Sequence, residues 1–138
     1  MIGEIELVGR IIFSLLAGGL IGIERELGHE PAGLRTHMLV CLGAMLFTAM
    51  SFEAAGTFDP TRIASGIVTG IGFLGAGTIF KDKDRVKGLT TAADLWVIAA
   101  IGMAIGFGYY VMAAVSTVLL FGVLSAKKFF IDPKKTAN

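Results

Sequence analysis

AADLWVIAAIGMAIGFGYYVMAAVSTVLLFGVLSA, residues 92–126, is the stretch that decides how this chain folds. Its 35 residues carry a single charge, Asp94. As one helix it would reach roughly 52 Å, whereas the hydrocarbon core of a bilayer is about 30 Å thick. Two crossings fit if the stretch breaks at Gly106-Phe107-Gly108-Tyr109-Tyr110. The glycines interrupt a helix and the tyrosines suit a membrane–water interface. Spans are therefore expected over 92–107 and 109–126.

Three more apolar runs precede these, at 7–23, 36–52 and 62–80. Five spans put Arg25, Arg35, Lys81, Lys83, Arg85, Lys87, Lys127, Lys128, Lys134 and Lys135 on one side, leaving Arg62 on the other and Arg10 inside the first span. Four spans would carry the last four lysines across and give six against five. Because cytoplasmic loops are enriched in Lys and Arg, the expected fold is an all-α integral membrane protein. It is a compact bundle of about five transmembrane helices, with the N-terminus outside and the C-terminus cytoplasmic. Residues 1–126 make the transmembrane domain and 127–138 a short basic tail. Glu4 and Glu6 stand where a signal peptide would be basic, so the first run is expected to remain as a span.

Composition agrees. Apolar residues make up 54% of the 138 and charged ones 17%, and mean hydropathy is +0.76. A soluble globule of that make-up would lack polar surface. The net charge of +1 gives no general case for nucleic-acid binding. Cys41 is alone, which excludes a disulfide framework and a cysteine metal site. No phosphate-binding glycine loop, zinc-type histidine pair or nucleophile with a nearby base is present, so no enzyme is expected.

Glycine is the second pattern, at 19 residues. Gly18 and Gly22, Gly66 and Gly70, and Gly102 and Gly106 form G-x-x-x-G pairs on three spans, and the third span continues through Gly72, Gly75 and Gly77. Small residues let helix backbones approach closely where lipid removes the hydrophobic drive. Such pairs serve packing within the bundle or an interface between subunits. Gly19-Leu20-Ile21-Gly22 and Gly33-Leu34-Arg35-Thr36 find a faint echo in Gly72-Phe73-Leu74-Gly75 and Gly88-Leu89-Thr90-Thr91.

Candidate chemistry gathers on the basic side. Glu24, Arg25 and Glu26 leave the first span, while Arg35, Thr36 and His37 lead into the second. Thr90 and Thr91 precede Asp94 and Trp96 in the fourth. An acid one turn into a span is costly unless paired or hydrated. Two readings stand for Asp94: a salt bridge to Arg25 or Arg35, or an ion or proton site shared with Glu24 or Glu26. Carboxylates suit a hard cation such as Mg²⁺, which makes Asp94 and Glu24 the metal candidates. The Thr90 and Thr91 hydroxyls suit a helix cap or contacts to a hydrated ion. Arg10 is expected to reach outward or pair with Glu6 or Glu53. The basic and aromatic tail suits anionic lipid headgroups.

Taken in order, Gly19-Leu20-Ile21-Gly22-Ile23-Glu24-Arg25-Glu26, Gly33-Leu34-Arg35-Thr36-His37, Gly72-Phe73-Leu74-Gly75-Ala76-Gly77 and Val86-Lys87-Gly88-Leu89-Thr90-Thr91-Ala92-Ala93 with Leu95-Trp96 resemble the MgtC/SapB family of bacterial inner-membrane proteins. The resemblance covers residues 10–110. It implies a role in growth under magnesium limitation and, in pathogens, in survival within macrophages, with some members described as inhibitors of the F-type ATP synthase. Virulence-type members carry a C-terminal ACT-like domain, for which 138 residues leave no room, and some carry Asn at the position of Thr90. The expectation is a non-enzymatic, homodimeric inner-membrane factor in Mg²⁺ homeostasis, with a polar cluster of Glu24, Arg25, Glu26, Arg35, Thr36, His37, Thr90, Thr91, Asp94 and Trp96. The rival is an oligomeric cation transporter or channel.

Overall fold

The protein is described from a computed structural model covering residues 2–54, 59, 61–82 and 85–130, with side chains placed as far as residue 126. Lys83, residues 131–138 and the side chains of Lys127 and Lys128 lie outside the described residues. Five helices follow one another: α1 (Glu4–Leu27), α2 (Leu34–Ala54), α3 (Thr61–Gly77), α4 (Leu89–Gly106) and α5 (Tyr110–Phe130). Two short strands, β1 (Phe80–Asp82) and β2 (Arg85–Lys87), separate α3 from α4. Helices α1, α2 and α4 are each long and apolar enough to cross a membrane, while α3 and the apolar run Tyr110–Ala126 of α5 are shorter.

Helix boundaries follow from local chemistry. Glu4 and Glu6 lie in the first turn of α1 and Arg25 in its last, each sign opposing the helix dipole at that end. Gly88 precedes α4 with φ +85°, and a Cβ there would lie 1.8 Å from the Thr78 carbonyl, so only glycine fits. At the predicted break, Phe107 and Tyr109 return amide hydrogen bonds to Met103 and Ala104 at 2.9 and 2.8 Å. Gly108 turns the chain with φ +84°.

The third span was expected to run to Phe80, but α3 stops at Gly77, and the Thr78 hydroxyl turns back to the Gly75 carbonyl at 2.8 Å. Beyond it, β1 and β2 form an antiparallel pair with Lys81 opposite Val86 and Asp82 opposite Arg85. This end of the bundle, where α1 and α3 finish and α2 and α4 begin, is termed the hairpin end.

Helix α2 lies at the centre, with α1 on one flank and α4 on the other, and α3 and α5 outside them. Ile21, Met45, Leu95, Ile98, Ile101 and Ile105 are fully enclosed. The backbones approach closely. A Cβ on Gly18 would lie 2.6 Å from the His37 carbonyl, and one on Gly22 2.7 Å from the Leu34 Cα. On the other flank, Gly102 would meet the Cys41 carbonyl at 2.3 Å and Gly106 the Thr48 Cβ at 2.6 Å. Gly66, Gly70 and Gly72 face open space, and Gly75 is at ordinary contact from Ala92. Ile12, Leu16 and Ile23 of α1 and Val111, Val115 and Val118 of α5 are exposed, an extended apolar surface suited to hydrocarbon rather than water.

Candidate functional site

Three helix ends meet at the hairpin end and bury a charged network. Arg25, in the last turn of α1, places Nε 3.1 Å from Asp94 Oδ2 in the second turn of α4. Its other nitrogens reach Glu24 at 3.3 Å and Glu30 at 3.0 Å. His37, one turn into α2, sets Nε2 3.0 Å from Asp94 Oδ1 and Nδ1 2.9 Å from the Gly33 carbonyl. Arg25, His37 and Asp94 are all buried. The signs suit the helix ends, with a cation at the C-terminus of α1 and an anion near the N-terminus of α4.

The contacts within this network are unequal. The Arg25–Asp94 pair is within ion-pair distance, yet Arg25 Nε and Asp94 Oδ2 are not aligned as a hydrogen bond, and the buried Thr91 hydroxyl has no hydrogen-bond partner among the described residues. The His37–Asp94 contact does have hydrogen-bond geometry. Both His37 nitrogens face oxygen, whereas a neutral imidazole carries one N–H. The Gly33 carbonyl also accepts the His37 backbone amide at 3.2 Å, so a ring with its proton on Nε2 leaves neither oxygen without a donor.

The surrounding loop is built to hold this arrangement. Glu26 turns across to accept the Leu34 amide at 2.9 Å, satisfying one of the free donors at the start of α2. Gly33 makes room for it, since a Cβ there would lie 1.8 Å from the Glu26 carboxylate. The Glu30 amide returns to the Arg25 carbonyl at 3.1 Å.

Of the residues named from sequence, the structure brings Glu24, Arg25, His37 and Asp94 into one network, with Thr91 on the Asp94 face of α4 and Glu26 at the adjoining corner. Thr36 is half-buried, and Arg35, Thr90 and Trp96 are exposed. The ion pair for Asp94 is with Arg25. Glu24 and Asp94, the candidate metal ligands, both address the Arg25 guanidinium, and among the described residues no group of three His, Cys, Asp or Glu is placed to hold a metal ion. The arrangement does not fit a resident Mg²⁺. Sequence reasoning missed Glu30 and the His37–Asp94 contact, although His37 lies one turn into α2 at the same depth as Asp94 in α4.

A second cluster sits at the opposite end. Arg10 is buried; its Nε donates to the Tyr110 hydroxyl at 2.9 Å, its Nη2 meets Glu6 at 2.6 Å, and its Nη1 donates to the Gly106 carbonyl. Tyr110 in turn donates to Glu6 at 2.8 Å. Arg10 thus closes the last turn of α4 and ties it to α1 and α5. Glu53 instead accepts the Ile2 amide.

Together, five helices, three of them long and apolar enough to cross a membrane, an apolar outer surface and a buried charge network at one end define the class, an α-helical bundle. More particularly, the chain belongs to the MgtC family, whose sequence profile matches residues 11–132. It is 52% identical over 110 residues to the protein MgtC of Brucella abortus strain 2308, covering 80% of this chain and 46% of that one. It is 44% identical over 128 residues to YhiD of Escherichia coli strain K12, provisionally named a magnesium transporter, covering 86% of this chain and 59% of the relative. The protein MgtC of Salmonella typhimurium strain 14028s is 44% identical over 110 residues, covering 80% and 47%. The chain therefore spans about half the length of these curated relatives. No solved structure matches it.

Proposed function

We propose that this chain is a non-enzymatic protein of the bacterial inner membrane that serves Mg²⁺ homeostasis and adaptation to low Mg²⁺ by regulating a membrane partner such as the F-type ATP synthase. In this reading it crosses the membrane five times as a homodimer, with the hairpin end in the cytoplasm. The observation that carries the reading is the buried network. Arg25 answers Glu24, Glu30 and Asp94, so these groups act as a joint between α1, α2 and α4 rather than as a ligand shell for a passing cation. A joint of this kind can hold a cytoplasmic surface in one arrangement and release it when its charge balance changes.

The magnesium connection draws on the family and on the name given to the Escherichia coli relative. That name also favours the second reading, an oligomeric transporter with Mg²⁺ as cargo. Proteoliposomes loaded with a Mg²⁺-sensitive dye separate the two. Folded protein giving no flux above empty liposomes, together with low-Mg²⁺ growth restored by the wild type and not by Asp94→Asn, is the expected result. Saturable flux that Asp94→Asn abolishes would replace regulation with transport.

A further inference from the structure

An apolar groove of about 570 Å³ runs between α2 and α3. Leu39, Gly43 and Phe47 form one wall, and Ile63, Gly70 and Leu74 the other. Side chains are missing from both walls: a Cβ on Gly43 or Gly70 would meet nothing within 4 Å. Along α2 the wall from Leu39 to Phe47 covers about 12 Å, and along α3 the wall from Ile63 to Leu74 covers about 16 Å. Half of a bilayer's hydrocarbon core is about 15 Å. The groove is one leaflet deep. A transmembrane helix of a second copy would need a seam nearly twice as long to pack along its length.

Its charged end lies at the hairpin end. Arg35 precedes Leu39 by one turn on the same row of α2, and helical side chains lean toward the N-terminus of their helix. The guanidinium therefore extends from the groove mouth toward the level where headgroups lie. Arg35 is exposed and has no ion-pair or hydrogen-bond partner among the described residues. Lys81 and Arg85, also exposed, add positive charge at this end. An unpaired planar guanidinium at the mouth of a leaflet-deep apolar groove matches a phosphate joined to an acyl chain.

We propose that the groove between α2 and α3 binds one anionic phospholipid from the leaflet at the hairpin end, with an acyl chain between Gly43 and Gly70 and its phosphate on Arg35. The inference needs only that the bundle lies in a membrane. It is independent of the joint formed by Arg25, His37 and Asp94, so flux and growth results for Asp94→Asn leave it standing.

Native mass spectrometry of the full chain, released from micelles holding equal phosphatidylglycerol and phosphatidylcholine, tests it. The wild type is expected to retain one phosphatidylglycerol in preference. Arg35→Gln lowers that preference about fivefold, the worth of one basic group at an anionic surface, and Arg35→Lys restores part of it. Gly70→Leu, which fills the groove from an open surface, removes retention of either lipid, and circular dichroism confirms that each variant is helical. Equal retention of the two lipids by the wild type, or unchanged preference in Arg35→Gln, overturns the proposal. So does a dimer that Gly70→Leu dissociates with lipid retention unchanged, which would make the groove an interface between copies.

Discussion

His37 Nε2 and Asp94 Oδ1 meet 3.0 Å apart across 57 residues of sequence, with neither side chain open to solvent. The contact joins the first turn of α2 to the second turn of α4, while Arg25 approaches the other oxygen of the same carboxylate from α1. One buried acid thus orders three helix ends.

Removing that acid takes a carboxylate away from the buried guanidinium of Arg25 and from the buried imidazole of His37. Asp94→Leu is expected to lower stability by about 3–5 kcal/mol, the usual penalty for breaking a buried pair from one side. Pairing it with His37→Leu recovers part of the loss, because Arg25 keeps Glu24 and Glu30 as partners and the imidazole that faced the carboxylate is gone. Unfolding midpoints in detergent micelles check both; a single mutant that melts like the wild type would mean the network adds nothing.

Gly102→Ala and Gly106→Ala are expected to destabilise by about 1–3 kcal/mol through overpacking, since each new methyl would press on α2 at 2.3 and 2.6 Å. Gly66→Ala, with nothing within 4 Å, should be neutral within about 0.5 kcal/mol. Thermal unfolding of the three variants side by side decides it, and equal effects would refute the asymmetry.

Tyr110→Phe keeps the ring and deletes only the hydroxyl that accepts from Arg10 and donates to Glu6. A loss of about 1–3 kcal/mol is expected, reflecting two hydrogen bonds to charged groups. In a double-mutant cycle with Glu6→Gln the two changes should fall short of additivity; strict additivity would show that the hydroxyl and the carboxylate are not coupled.

Asp59 accepts the Thr61 amide at 2.9 Å and the Thr61 hydroxyl at 2.7 Å just ahead of α3. The backbone amide, then the hydroxyl, hold its carboxyl below the ordinary value of 3.8. A depressed acid stabilises the folded form above its unfolded pKa and loses that contribution as pH falls through the lower folded value. The start of α3 should therefore keep its amide protection at neutral pH and lose it below pH 3.8, and Asp59→Ala should show the acid-like behaviour at every pH. Hydrogen exchange at the Thr61 amide reports this, and a pH-independent wild type would contradict it.

The five helices were legible because apolar runs, glycine breaks and the bias of basic residues all point to the same division. The break at Gly106–Tyr110 fell where the structure turns. For Asp94 the sequence left open an ion or proton site shared with Glu24 or Glu26 beside an ion pair with either Arg25 or Arg35. Choosing between them requires the rotation of α1 and α2 about their axes, and α2 is apolar on every side, with no polar stripe to show which face turns inward. The β1–β2 hairpin was hidden by its charges, since strands with every side chain exposed carry no apolar alternation. Arg10 was rightly linked to Glu6, but its contact with the Gly106 carbonyl depends on where α4 ends relative to α1, which no local pattern encodes.

That contact bears on how the protein is made. Arg10 emerges from the ribosome about a hundred residues before Gly106 and Tyr110, which supply two of its three partners. Until then the first helix carries an incompletely matched guanidinium that favours a wet boundary over hydrocarbon. Glu6, four residues away, is the only one of the three already present. The set of partners around the arginine is therefore complete only once the corner between the last two helices has been made.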